Sequence, residues 1–319
     1  MGIHFADGRS SILRLDSNDK KNHALKTTSH SEYGRLKSVF IKKPEVAFVN
    51  EQQVTSQWKE LNFLGEPDLS KAIEEYTEFE KILRKSGASI SYLPLNPHVT
   101  MDSMYCRDAS IATDFGMILC RMGKAQRKNE PAAEKLSFEQ NKIKILGEIK
   151  SPGTLEGGDV AWIDLKTLAV GHTYRTNENG IIQLKNLVEP LGIEVLVSSM
   201  PHYKGPTDVF HLMSVLSPVD KDLAVVYSPL MPIAFRNTLL DKGFSFVEVP
   251  DSEWDSMGCN VLAIAPREVV MVKGNPITKH RLEQAGCIVW EYTGNEISVK
   301  GGGGPTCLTR PIERYLINE

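Results

Sequence analysis

The chain has 319 residues, 41% of them hydrophobic and 24% charged, with a formal net charge of −3. That composition suits a water-soluble fold with a large core, and its mild acidity excludes the basic field of a nucleic-acid binder. No apolar run reaches the length of a membrane span, and the five cysteines are odd in number, widely spaced and free of any CxxC, as expected of reduced thiols in a cytoplasm.

Met1-Gly2-Ile3-His4-Phe5-Ala6 lacks the apolar core of a signal peptide. Residues 1–31, polar from residue 7 onward, are expected as a mobile N-terminal tail ahead of one domain at 32–319. From there a unit recurs. An apolar, β-branched strand at Leu36–Ile41 precedes a helix that ends at Gly87, and a strand follows at Ala88–Leu93. The pattern returns as Met117–Cys120, a helix ending at Asn141, and Lys142–Leu146. It continues as Thr167–Gly171, Gly192 and Ile193–Val197, then as Leu223–Tyr227, Gly243 and Phe244–Val249. Val269–Val272, Gly286 and Cys287–Trp290 complete the series. Gly and Asn are the residues that best tolerate a left-handed helix C-cap, and the turn positions are 54, 51, 51 and 43 residues apart. Five similar units imply a repeat architecture: strand–strand–helix–strand modules closing a ring, with an ordinary parallel α/β sheet as the alternative.

Near the C-terminus, Gly301-Gly302-Gly303-Gly304-Pro305-Thr306-Cys307 puts a single thiol after a run of glycines. Glycine lets a backbone approach closely and adopt positive φ, while a thiolate is a strong nucleophile once its pKa is lowered or its proton taken. No GxxxxGK[ST] pattern accompanies the run, so the mechanism of a phosphate loop is missing. Asp108, Glu156, His211, Asn260 and Cys307 are 48, 55, 49 and 47 residues apart, in phase with the repeat. Equivalent positions of a pseudo-symmetric ring point to one axis, so these five side chains are expected to converge. A metal bound by Cys307, His211 and a carboxylate is an alternative, but no close-spaced ligand pair supports it.

These residues carry a family resemblance. Leu64-Gly65-Glu66-Pro67-Asp68, Asp102-Ser103-Met104-Tyr105-Cys106-Arg107-Asp108, Arg127-Lys128-Asn129-Glu130, Leu155-Glu156-Gly157-Gly158-Asp159, Arg175-Thr176-Asn177 and His211-Leu212-Met213-Ser214 stand in the order of the guanidine-modifying (pentein) superfamily. The chain resembles most closely the bacterial dimethylarginine dimethylaminohydrolases, from Glu32 to Arg310. The resemblance implies a five-bladed α/β propeller and a cofactor-independent hydrolase of linear amidines. Cys307 would be the nucleophile and His211 the general acid/base, with Asp108 and Glu156 as the clamp on a guanidinium. Asp102 would border that group, Arg127 and Arg175 would bind the α-carboxylate, and Leu64 would border the substrate. Asn260 would either brace the site or touch substrate. The implied partner is a small guanidino amino acid, most closely an N-omega-methylated arginine. Arginine deiminase or dihydrolase chemistry, an amidinotransferase and a non-catalytic binding module of the same fold are the alternatives, and a homodimer stays open as an assembly. Two departures bear on substrate: Met213 stands where deiminases acting on free arginine typically carry an acid, and the glycine run differs from the Asp-Gly-Gly-x-Ser-Cys ending of the subfamily.

Overall fold

Five three-stranded sheets, built from successive stretches of chain, make up the described part of the protein, residues 30–315 of a computed structural model. The first stretch runs β1 (Arg35–Ile41), α1 (Pro44–Ala47), α2 (Glu51–Gln57), α3 (Leu69–Lys85) and β2 (Ser89–Tyr92). Next come β3 (Ser110–Thr113), β4 (Gly116–Leu119), α4 (Glu130–Gln140) and β5 (Ile145–Glu148), then β6 (Val160–Trp162), β7 (Thr167–His172), α5 (Glu178–Val188) and β8 (Glu194–Ser199). They are followed by α6 (Leu212–Val215), β9 (Leu216–Asp220), β10 (Leu223–Val226), α7 (Ile233–Asp241) and β11 (Ser245–Glu248). The chain closes with β12 (Leu262–Ala265), β13 (Glu268–Val272), α8 (Pro276–Gln284), β14 (Ile288–Tyr292) and β15 (Thr309–Tyr315).

Every sheet has one plan. A first strand pairs antiparallel with a central strand, and the strand after the helix pairs parallel with it. In the first sheet the antiparallel partner is the C-terminal β15, so the two ends of the described chain are joined within one blade. The fold is the five-bladed α/β propeller implied by the repeat, and its unit is strand–strand–helix–strand. The central strands β4, β7 and β10 are almost entirely buried, which is why they read as continuous apolar runs rather than alternating ones. Helix starts are fixed locally: Asp68 accepts a hydrogen bond from the Lys71 N–H at the start of α3, and Asn177 accepts one from the Gly180 N–H at α5.

Two expectations need correction. The residue in the left-handed region after α4 is Lys142, with φ 59°, and not Asn141, with φ −91°. The turn thus falls one residue late in that unit, and β5 begins at Ile145 rather than at Lys142. The expected tail also reaches too far. His30 and Ser31 are buried, and His30 packs edge-on against Trp162; the rest of the expected tail lies outside the described residues.

Candidate active site

The five in-phase residues all lie just ahead of the first strands of the blades. Asp108, Asn260 and Cys307 stand two residues before β3, β12 and β15, Glu156 four before β6, and His211 five before β9. Blade symmetry therefore brings them together. A cavity of about 350 Å³ is lined by Leu64, Asp102, Asp108, Arg127, Arg175 and His211, and also by Met213, Asn260 and Cys307. Glu156 is fully buried behind His211. Leu64 lies at the mouth, 77% exposed, its N–H hydrogen-bonded to the Lys300 carbonyl at 2.7 Å.

The sulfur is held by an oriented amide. Asn260 accepts from the N–H and Oγ1 of Thr306 at 3.0 and 2.8 Å, which turns its Nδ2 toward Cys307 Sγ at 3.3 Å. Asn260 thus braces the thiol. The glycine run makes this packing feasible: a Cβ on Gly303 would collide with the Tyr105 ring, and one on Gly304 with Asn260. Close approach to these two side chains, rather than conformation, is what most of the run supplies, because Gly302 alone among its four has positive φ. Burial pushes the Cys307 thiol up and the Asp108 charge adds to this, against the hydrogen bonds from Asn260 and Thr306 and the charge of Arg107. The other four cysteines are fully buried, whereas Cys307 is partly exposed.

His211 caps α6, its N–H donating to Ser214 Oγ at 3.0 Å. Its ring bridges two acids, with Nε2 at 2.8 Å from Glu156 Oε2 and Nδ1 at 3.9 Å from Asp108 Oδ1. Gly158 leaves room for the ring, since a Cβ there would clash with Nδ1. Burial works against the imidazolium, but the charges of Asp159 and Asp108 and the bond to Glu156 outweigh it and raise the His211 pKa. Burial likewise opposes the Glu156 carboxylate, and the His211 hydrogen bond and charge, with Arg175 and Arg127, hold its pKa low. Asp108, Glu156 and His211 bring one ligand atom each within 4.8 Å of one another, the one such grouping among the described residues. A protonated imidazole already bonded to a carboxylate is poor ground for a metal, which needs neutral histidine.

The remaining candidates separate. Arg127 is buried and spends its guanidinium on Asp108 Oδ2, on both oxygens of Glu130 and on the Tyr105 carbonyl. The expected carboxylate anchor is thus a brace for Asp108, because four of its five N–H groups are already committed. Arg175 differs: Nη2 donates to the Asp208 carbonyl at 3.2 Å, while Nε and Nη1 are buried without a hydrogen-bond partner. Asp108 Oδ1 is also buried and unpartnered. Asp102 is paired with Lys124 at 2.6 Å, and the Lys124 N–H donates to Glu156 Oε1 at 2.9 Å. Sequence reasoning missed Lys124, which no periodicity marks. Glu130 and Asp159 sat in the quoted motifs, and the i,i+3 spacing of Arg127 and Glu130 on a helical turn was a usable signal.

A family model described as N,N dimethylarginine dimethylhydrolase, eukaryotic, matches residues 44–314. An uncharacterized protein of Bacillus subtilis, YkgA, is 26% identical over 291 residues, covering 91% of this chain and 96% of that one. A dimethylarginine dimethylaminohydrolase of Pseudomonas aeruginosa is 25% identical over 246 residues, 77% of this chain and 90% of that one. Among solved structures, a mutant of the Pseudomonas aeruginosa enzyme complexed with citrulline superposes with a TM-score of 0.71 at 23% identity, covering 86% of this chain and 98% of that one. The N-terminal domain of ArgZ, a cyanobacterial arginine dihydrolase, bound to substrate, gives 0.74 at 17% identity, covering 88% and 99%. The ring of blades, the shared phase of the site residues and the match over most of the chain agree: the chain belongs to the dimethylarginine dimethylaminohydrolase family of the guanidine-modifying superfamily.

Proposed function

We propose that this protein hydrolyses a guanidino amino acid through a covalent adduct on Cys307, with N-omega-methylated arginine as its substrate and citrulline and an alkylamine as products. The observation that carries this reading is the pairing of unmet needs in one cavity. Asp108 Oδ1 is a buried acceptor without a donor, while Arg175 Nε and Nη1 are buried donors without an acceptor. Each such group costs about 1–3 kcal/mol when left unpaired. A ligand with a planar cation and a carboxylate answers both.

A guanidinium seated on Asp108 beside the sulfur favours the thiolate, and the thiol proton leaves as substrate binds. The thiolate adds to the guanidinium carbon. His211, kept as imidazolium by Glu156, Asp159 and Asp108, gives its proton to the departing amine as the C–N bond breaks, and an S-linked thiouronium remains. The neutral imidazole then takes a proton from water. The hydroxide adds to the same carbon and the C–S bond breaks, leaving the ureido product, and the hydroxyl proton regenerates the thiol. Met213 is buried in the cavity wall and is a weak acceptor, which favours a substrate with methyl groups in place of N–H. Arginine itself is the second reading, favoured by Asp208 in the same wall.

The test is a trapped intermediate. Acid quench during turnover, followed by peptide mass spectrometry, is expected to find an amidino adduct on Cys307 alone. Turnover of a guanidino amino acid with no adduct on any cysteine would refute covalent catalysis.

A further inference from the structure

Lys124 is unusual among the pocket's cations. It follows Gly123, whose missing side chain lets two chain segments touch: a Cβ there would meet the Arg175 carbonyl oxygen at 2.5 Å and its Cα at 2.7 Å. Lys124 and Arg175 are therefore neighbours on one wall, and both line the cavity. The Lys124 ammonium has two partners, Asp102 Oδ2 at 2.6 Å and the Leu61 carbonyl at 2.7 Å. An ammonium has three N–H groups, so one remains. The third cation of the wall, Arg127, is committed to Asp108, Glu130 and the Tyr105 carbonyl. The side chain of Lys124 is only 12% exposed, so water does not replace a missing partner freely.

We infer that Lys124, together with Arg175, forms the anchor for the carboxylate of the substrate, and that its pairing with Asp102 aims the ammonium for that contact. The inference rests on the proposed guanidino amino acid and names the residues that read its acidic end. The structural alternative is that Lys124 serves only to neutralise Asp102. The two roles separate chemically. If neutralisation is all, removing both charges at once restores the site; if Lys124 grips an anion, removing both leaves the anion without its partner.

Calorimetry on the full chain with citrulline, and with its decarboxylated counterpart N-carbamoylputrescine, tests this without requiring turnover. The proteins are wild type, Lys124→Met, Asp102→Asn and the double variant Lys124→Met/Asp102→Asn, with Lys124→Gln in reserve should the double variant not fold. Loss of a hydrogen bond between charged groups is expected to weaken citrulline about 10- to 100-fold in the double variant and in Lys124→Gln. Carbamoylputrescine should bind wild type and double variant alike within about threefold, so the preference for the acid shrinks. Citrulline affinity restored by the double variant overturns the anchor and leaves the proposed substrate class standing. Equal weakening of both ligands also overturns it. No citrulline binding to wild type overturns the anchor and the proposed substrate class together.

Discussion

Replacing Glu156 by Gln tests the electrostatic logic of the site, because it keeps a side chain of the same shape beside His211 Nε2, at 2.8 Å in the native pair, and removes its charge. A hydrogen bond to a charged partner contributes about 1.5–3 kcal/mol and a neutral one about 0.5–1.5. The imidazolium therefore loses about 1–1.5 kcal/mol, and its pKa should fall by about one unit. Asp108 and Asp159 remain, so the value should stay above that of the same variant with Asp108→Asn added. NMR titration of ring-labelled histidine, with His211→Asn assigning the signal, reads this directly. Stability should follow by linkage. The His211 pKa rises on folding from 6.5, so its contribution is full below that value and fades as pH rises through the folded value. The Glu156 pKa falls on folding from 4.5, so its contribution is full above that value and is lost as pH falls through the folded one. The variant should thus be most destabilised between about pH 4.5 and 6.5, by about 1.5–3 kcal/mol. A His211 pKa unchanged by the substitution would refute the account.

A chloroacetamidine-type guanidine mimic should alkylate Cys307 and spare the four buried cysteines, and Cys307→Ser should lose activity by several powers of ten while still binding substrate; label on another cysteine, found by peptide mass spectrometry, would contradict this. Arg175→Ala should raise KM about 10- to 100-fold, whereas Arg127→Ala should chiefly lower kcat, because Asp108 loses its brace; steady-state kinetics with the two effects exchanged would return Arg127 to the carboxylate. Lys142→Gly, at φ 59°, should stabilise the fold by about 0.5–1 kcal/mol in urea denaturation, because a left-handed conformation strains any residue with a Cβ.

The blades were legible because each central strand is buried on both faces and each helix ends in a turn with its own chemistry. Asn141 misled because the turn slipped to Lys142, a residue type that gives no left-handed signal. The first strands β3, β6 and β12 are three or four residues long, too short to show a period, so their positions emerged only from pairing. Cys307, His211, Asp108 and Glu156 were legible through their common phase and motif order. Arg127 was found but given the wrong partner, since a motif names a side chain and not the acid it meets. Lys124 was invisible: its link to Asp102 crosses from one loop to another 22 residues away, and no local pattern encodes such a contact.

The most direct measurement is kcat/KM for release of the ureido product from dimethylarginine, monomethylarginine, arginine and agmatine. Dimethylation removes N–H groups that Met213 does not accept, and one unpaired donor costs arginine about tenfold or more. The methylated arginines are therefore expected to lead arginine by at least about tenfold, and agmatine, which lacks the carboxylate, to trail its amino-acid counterpart. Arginine with the highest kcat/KM would contradict the proposed substrate, and no ureido product from any of the four would contradict the proposed reaction.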